Sequence, residues 1–120
     1  MFFAEKDSGA FFNNQRIRVS NKNSINDCLF AIGEKNINKS NLTIRKSGCA
    51  ALDMAYVASG RYDGYYQKNL KIWDIAAGII LIKEAGGVIN NISLDEIENL
   101  SVIASSVNIR SKFEEKLDNF

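Results

Sequence analysis

The stretch that decides the fold is Trp73-Asp74-Ile75-Ala76-Ala77-Gly78-Ile79-Ile80-Leu81-Ile82-Lys83-Glu84-Ala85-Gly86-Gly87. Residues 75–82 carry no polar side chain, which predicts a helix that is buried on all sides. Gly86 and Gly87 are typical of the left-handed stop that ends a helix and releases the chain into a strand. The stretch therefore predicts a buried helix followed by a strand, as in α/β proteins.

Asp74 places a carboxylate at the start of this apolar helix, where the helix dipole favours a negative charge. Two interpretations are open. Aspartate is a common N-cap residue, because its side chain accepts hydrogen bonds from free backbone N–H groups. An ionised carboxylate in a dry setting also suits a bound cation. The pattern alone favours the N-cap.

Composition bounds the class of protein. The 120 residues are enough for one domain, and 46% hydrophobic with 24% charged residues is ordinary for a globular protein. A net charge of +1 gives no indication of nucleic acid or membrane as a partner. Residues 1–7 do not resemble a signal peptide, and Cys28 and Cys49 have neither metal-site nor disulfide spacing, which suits a reducing cytoplasm.

The sequence has no histidine, which excludes Ser-His-Asp and Cys-His catalysis and the commonest zinc ligand. It also has no P-loop and no G-x-G-x-x-G motif. For an enzyme, these exclusions leave magnesium held by carboxylates.

Short strands and helices alternate along the chain. The predicted strands cover residues 2–6, 10–12, 16–19, 28–32, 62–67, 88–89 and 101–104. Asn13-Asn14 predicts a turn, because asparagine tolerates the left-handed conformation, and the polar residues 34–43 predict a loop. Ser47 is a plausible N-cap for a helix that ends at Gly60. A last helix is predicted over about 107–117, capped by Ser105 or Ser106, with Ile109, Phe113 and Leu117 on its apolar face. The order predicts an α/β fold with a mixed sheet flanked by helices.

The W-D-x-A-A-G run followed by E-A-G-G closely resembles the second signature of the inositol monophosphatase family, which are magnesium-dependent, lithium-sensitive phosphatases. Residues 47–61 resemble the helix just upstream in that family, residues 62–66 the strand that follows it, and residues 9–20 the hairpin before the family's second half. The matches run over most of residues 1–90 in the family's own order. The resemblance implies the C-terminal half of the family's αβαβα fold.

The resemblance also implies site residues. Asp74 would hold Mg²⁺, and Gly48, Cys49 and Ala50 would line a small phosphorylated substrate. Gln67 stands where many members have a glutamate that contacts substrate hydroxyls. Without the resemblance, residues 48–50 indicate a tightly packed helix start, and Gln67 is equally well explained as a solvated loop residue.

The family's first signature, a D-P-(I/L)-D-G-T-like run that provides two aspartates to the metals, does not occur in these residues. We therefore expect residues 1–120 to be a single partial domain, with a β-meander from the inter-half region over 1–20 and the C-terminal α/β part over 28–120. We expect it to be inert alone and to expose the sheet edge of the meander and an apolar patch meant for the missing N-terminal half. We therefore expect it to be marginally soluble or self-associating.

Three functions compete at this point. The first is the C-terminal part of a phosphate-monoester hydrolase that acts on inositol 1-phosphate or a related sugar or nucleotide phosphate. The alternative is a non-catalytic interaction module that pairs with a full-length relative. The third is a homodimer or larger assembly that pools its Asp74 residues at a shared site, and no sequence feature supports it.

Overall fold

The computed structural model describes residues 1–34, 42–45, 47–93 and 95–117. A short 3-10 turn, Ile25–Asp27, precedes the second sheet. In chain order, the strands and α-helices of the described residues are β1 (Phe2–Glu5), β2 (Gly9–Phe12), β3 (Gln15–Ile17), β4 (Leu29–Ile32), β5 (Thr43–Arg45), α1 (Ala50–Ala58), β6 (Gly64–Leu70), α2 (Ile72–Glu84), β7 (Val88–Ile89), β8 (Leu100–Ser105) and α3 (Arg110–Leu117).

Strands β1, β2 and β3 form an antiparallel meander. The turn between β2 and β3 uses Asn13 and Asn14, both left-handed with φ of 50° and 68°. Asparagine tolerates this conformation better than most residues, so the predicted turn is confirmed.

The second sheet has the strand order β5-β4-β6-β8-β7. Strand β4 pairs in parallel with β5 and β6, whereas β8 pairs antiparallel with β6 and β7. Alternate side chains face opposite sides, so Ala31 and Tyr65 join one core cluster while Phe30 and Tyr66 join the other. The predicted mixed sheet flanked by helices is confirmed.

The two core clusters define the layers of the molecule. Helices α1 and α2 lie between the meander and one face of the five-stranded sheet. Helix α3 covers the other face, where Phe113 stacks on Phe30 with ring centroids 4.4 Å apart. Ile109, Phe113 and Leu117 are all buried, as the four-residue spacing predicts.

Helix α2 differs from the prediction that it is buried on all sides. Ile75, Gly78, Leu81 and Ile82 face the core. Ala76 and Ala77 are exposed, and Ile80 is 44% exposed. An apolar helix therefore presents one uncovered face, because the described residues provide a layer on only part of its circumference.

Helices α1 and α2 approach each other closely at Gly78. A Cβ atom at this position would lie 2.7 Å from the Met54 sulfur and 2.8 Å from the Met54 Cβ. Gly78 thus lets the two helices pack with Met54 directly against the α2 backbone.

The carboxylate of Glu84 ties the meander to the end of α2. It accepts the Gly9 N–H at 2.8 Å and the Asp7 N–H at 3.0 Å. These backbone hydrogen bonds, the Gly9 one first, lower the pKa of Glu84 below its usual value. The helix ends at Glu84, and the φ of 88° at Gly86, two residues later, confirms the predicted left-handed stop.

Several boundaries differ from those predicted. Thr43–Arg45 forms edge strand β5, where the polar composition of 34–43 predicts a loop; residues 35–41 of that loop lie outside the described residues. Helix α3 begins at Arg110 rather than near residue 107, so the prediction that Ser105 or Ser106 caps this helix is wrong: Ser105 ends β8 and Ser106 follows it. No helix in the described ranges is both long and apolar enough to cross a bilayer.

Candidate functional site

The predicted site residues line one cleft of about 360 Å³, where β6 and the first turns of α1 and α2 meet. Larger clefts of about 610, 570 and 480 Å³ lie elsewhere. The linings of the first two contain no carboxylate, and the carboxylate in the third, Glu84, already accepts the Gly9 and Asp7 N–H groups with both of its oxygens. The smaller cleft is therefore the better candidate for phosphate chemistry. It is lined by Gly48, Cys49, Ala50, Ala51, Gln67, Leu70, Trp73 and Asp74.

Asp74 is the third residue of α2, and Lys71 occupies the N-cap position, so the expectation that Asp74 is the N-cap is wrong. Its Oδ2 accepts the backbone N–H of Lys71 at 3.2 Å, which is one half of a capping box. Within the described part of the chain, no group donates a hydrogen bond to Oδ1. Asp74 therefore serves the helix start with one oxygen and keeps the other available.

The next question is whether the side chains at this cleft are suitable ligands for Mg²⁺. Within the described ranges, no three His, Cys, Asp or Glu side chains come together as a metal site. Mg²⁺ is usually bound by one or two carboxylates together with water and substrate oxygens. Asp74 therefore fits as one ligand of such a site, and the lining that the described residues give this cleft contains no second carboxylate.

The start of α1 forms the opposite wall of the cleft. Cys49, not Ser47, is the N-cap residue, and its thiol makes no capping hydrogen bond. Gly48 has a φ of 79°, and a Cβ there would meet open space. The first N–H groups of a helix lack partners within the helix, so this turn offers free donors beside a residue with no side chain.

Ser47 takes another role. Its hydroxyl donates to Asp53 Oδ1 at 2.6 Å and accepts the Cys49 N–H at 3.0 Å. Asp53 is only 4% exposed, and burial raises the pKa of its carboxyl despite the opposing hydrogen bond from Ser47. This pair of hydrogen bonds fixes the turn that carries Gly48 and Cys49. The contact between Ser47 and Asp53 could not be predicted from the sequence, because no pattern relates two residues that are six positions apart.

Gln67 lies on β6 and is partly buried, so it is a strand residue rather than a solvated loop residue. The Tyr65 hydroxyl donates to Gln67 Oε1 at 2.5 Å. Gly33 lies against the same side chain. Tyr65 and Gly33 were not among the predicted site residues, although the two-residue spacing of Tyr65 and Gln67 on a strand could have indicated a shared face.

The arrangement is that of an α/β domain with a polar cleft at helix starts, beside the sheet. The sequence model of the inositol monophosphatase family matches residues 1–118, which is nearly the whole chain. The chain belongs to the inositol monophosphatase family.

Individual proteins with similar sequences support this family assignment. The chain is 34% identical over 123 aligned residues to the putative Nus factor SuhB of Neisseria meningitidis, covering 88% of the chain and 47% of that protein. It is 41% identical over 108 residues to the fructose-1,6-bisphosphatase/inositol-1-monophosphatase of Thermotoga maritima, covering 82% and 42%.

A crystal structure of the extragenic suppressor protein SuhB of Bartonella henselae superposes with a TM-score of 0.86 at 42% identity, covering 98% of this chain and 53% of that one. The fold is therefore that of solved family members. The chain spans about half the length of the curated relatives it matches.

Proposed function

We propose that these residues supply one side of the active site of a magnesium-dependent phosphate-monoester hydrolase. Asp74 is one ligand of the metal, and Gly48, Cys49, Ala50 and Gln67 contact the substrate. The observation that carries the proposal is that all five of these residues line the same cleft. Membership of a phosphatase family and relatives named inositol-1-monophosphatase support it.

Each group has a distinct task. The free N–H groups at the start of α1 bind substrate oxygens, since helix N-termini attract anions. Gln67 orients the part of the substrate away from the phosphate. Asp74 holds the metal with its second oxygen. Bound magnesium would polarise the phosphate and activate a water molecule. The substrate is an inositol phosphate or a related sugar or nucleotide phosphate.

The described residues do not complete the site. One carboxylate is a poor magnesium site, because the ion dehydrates reluctantly and needs several oxygen ligands. We propose that residues 1–120 are catalytically inert by themselves and that further carboxylates come from a segment that corresponds to the other half of the relatives.

The uncovered face of α2 supports this proposal. Trp73 is 64% exposed and Ile80 is 44% exposed, and Ala76 and Ala77, which lie between them on the same side of the helix, are exposed as well. Contiguous exposed apolar surface usually marks an interaction site. Trp73 also lines the cleft, so a segment that covers this face would reach the edge of the site.

A second candidate is a non-catalytic module that pairs through the same face with a full-length relative or with its own copy. The exposed face favours it, and curated relatives that are named Nus factors show that family members carry names other than phosphatase. Its proposed setting, like that of the hydrolase, is the cytoplasm, in keeping with the free thiols of Cys28 and Cys49.

Phosphate release from inositol 1-phosphate tests the first proposal. The purified chain is assayed over a range of Mg²⁺ concentrations beside Asp74→Asn. No release above the Asp74→Asn background is expected. Release that Asp74→Asn abolishes would show that the chain builds a complete site by self-assembly, and would overturn the half-site proposal.

A further inference from the structure

The Asp53 carboxylate is buried beneath the turn that starts α1. It is 4% exposed and does not belong to the lining of the cleft. Burial, and then the nearby charge of Asp53, raises the pKa of the Tyr65 hydroxyl, which donates to Gln67 on the other wall of the cleft. Asp53 therefore lies behind the cleft, within electrostatic reach of both walls.

The Ser47 hydroxyl connects this carboxylate to the turn. It donates to Asp53 Oδ1 at 2.6 Å and accepts the Cys49 N–H at 3.0 Å. A second acceptor, the Cys49 carbonyl, lies farther away, at 3.3 Å. A serine hydroxyl that bonds to the backbone two residues later closes a local turn. Because Asp53 takes the single hydroxyl proton, a lone pair of the oxygen is directed at the Cys49 N–H.

This arrangement decides which backbone donors of the turn remain for a ligand. The Cys49 N–H is occupied by Ser47, although Cys49 lines the cleft. The helical hydrogen bonds begin with the Asp53 N–H, which donates to the Cys49 carbonyl at 3.0 Å. The N–H groups of Ala50 and Ala51 come before that bond, so they have no partner within the helix, and both residues line the cleft.

We propose that Ser47 and Asp53 are positioning residues of the candidate site: the Ser47 hydroxyl, oriented by Asp53, holds the turn so that the Ala50 and Ala51 N–H groups meet a substrate oxygen. The proposal rests on the proposed function for that contact. Neither positioning residue touches the substrate.

Gly48 explains why the turn needs to be held. Its φ is 79°, and a Cβ there would meet open space, so nothing packs around this residue to fix it. Glycine adopts left-handed and right-handed backbone about equally readily. Without the Ser47 hydroxyl the turn would sample other conformations, and a ligand would have to order it on binding, which lowers affinity.

Inorganic phosphate with Mg²⁺ is the probe, titrated into the isotope-labelled chain and followed by the backbone amide signals of residues 48–51. In the wild type, the Ala50 and Ala51 signals should move more than the Cys49 signal. Ser47→Ala should weaken phosphate binding about fivefold, as expected for the loss of one net hydrogen bond. Ser47→Thr keeps the hydroxyl and should bind as the wild type does. Ser47 is exposed, so both variants should fold.

Two variants of Asp53 separate its hydrogen bond from its charge. Asp53→Asn and Asp53→Leu remove the same charge and are similar in size, but only asparagine keeps an oxygen that accepts the Ser47 proton. Asp53→Leu should therefore bind phosphate about fivefold more weakly than Asp53→Asn. Ser59→Ala is the matched control, because the Ser59 hydroxyl donates to the Tyr56 carbonyl at 3.2 Å at the other end of α1, away from the cleft. It should leave the affinity unchanged.

A purely structural role would lower the stability of the Ser47 and Asp53 variants in urea without changing the phosphate affinity of the folded chain. Equal affinities of Ser47→Ala and the wild type, equal affinities of the two Asp53 variants, or no binding to the wild type would overturn the proposal. The titration does not depend on turnover. A completed site that shows these differences in binding but releases no phosphate from inositol 1-phosphate would overturn the proposed hydrolase and leave the positioning role standing.

Discussion

Replacing Ile80 by lysine should weaken association through the uncovered face of α2. Ile80 lies seven residues after Trp73, two helical turns along the same face, and the two side chains are 44% and 64% exposed. Lysine is a good helix former, so Ile80→Lys should leave the fold intact.

The magnitude follows from the exposed fraction. Burying an isoleucine side chain completely contributes about 1.5–3 kcal/mol. Covering the 44% of Ile80 that remains exposed would contribute roughly 0.7–1.3 kcal/mol on that scale. Losing this contribution raises the Kd of association about three- to tenfold for each Ile80 that the interface buries, and desolvating the lysine charge would add to it.

Sedimentation velocity over a dilution series measures the Kd of self-association. Val107→Lys is the matched control, because Val107 is 58% exposed and lies just before α3 rather than on α2. Circular dichroism confirms that each variant is folded. A wild-type chain that stays monomeric at every concentration, or equal effects of the two lysine variants, would refute the reasoning about this face.

Three further predictions concern stability. Gly78→Ala gains about 1 kcal/mol of helix propensity but overpacks Met54 by about 1–3 kcal/mol, so urea unfolding should show a net loss of up to about 2 kcal/mol; stabilisation would contradict the close helix contact. Phe113→Ala should lower the free energy of unfolding by about 3–5 kcal/mol, because the fully buried ring stacks in the core beneath α3; a loss below about 1 kcal/mol would contradict that packing. Because hydrogen bonds from Gly9 and Asp7 lower the pKa of Glu84, its stabilising contribution is present above the usual pKa of 4.5 and is lost as the pH falls through the lower folded value. The melting temperature of Glu84→Gln should therefore lie below that of the wild type at pH 7 and approach it in acid; a constant difference would contradict this role.

The sequence predicts the elements with strong local signals. The glycine stop after α2 and the double-asparagine turn depend on left-handed backbone that few other residues adopt, so their positions are confirmed. The predicted apolar face of Ile109, Phe113 and Leu117 is confirmed. Residues four positions apart lie on the same side of a helix, so these three side chains are buried together.

Features that depend on tertiary partners could not be predicted in the same way. The apolar sequence of α2 predicts a helix that is buried on all sides, but only part of its circumference is covered. Which residues are covered depends on the strands and helices that pack against α2, and the sequence of the helix itself does not specify them. Strand β5 has three residues with polar neighbours, and it forms because β4 offers a free edge. The contact between Gly33 and Gln67 joins residues far apart in the chain.

The predicted site was partly within reach of the sequence. The residues at 48–50, 67 and 74 do line a common cleft, although their proposed roles remain predictions. The hydrogen bond from the Tyr65 hydroxyl to Gln67 was missed because the sequence indicates only that Tyr65 is an aromatic residue of a strand, and not which group its hydroxyl contacts. The Ser47–Asp53 hydrogen bond was missed because the serine was interpreted as an N-cap.

The central claim is that Asp74 is one metal ligand of a site that other residues complete. It is tested by joining this chain to the N-terminal half of the Thermotoga maritima relative and measuring Mg²⁺-dependent phosphate release from inositol 1-phosphate. Asp95→Asn, an exposed aspartate away from the cleft, is the matched control. The account predicts release by the joined protein and by Asp95→Asn, and none by Asp74→Asn or by the chain alone. A folded joined protein that releases phosphate equally well with Asp74→Asn, or releases none at all, would contradict it.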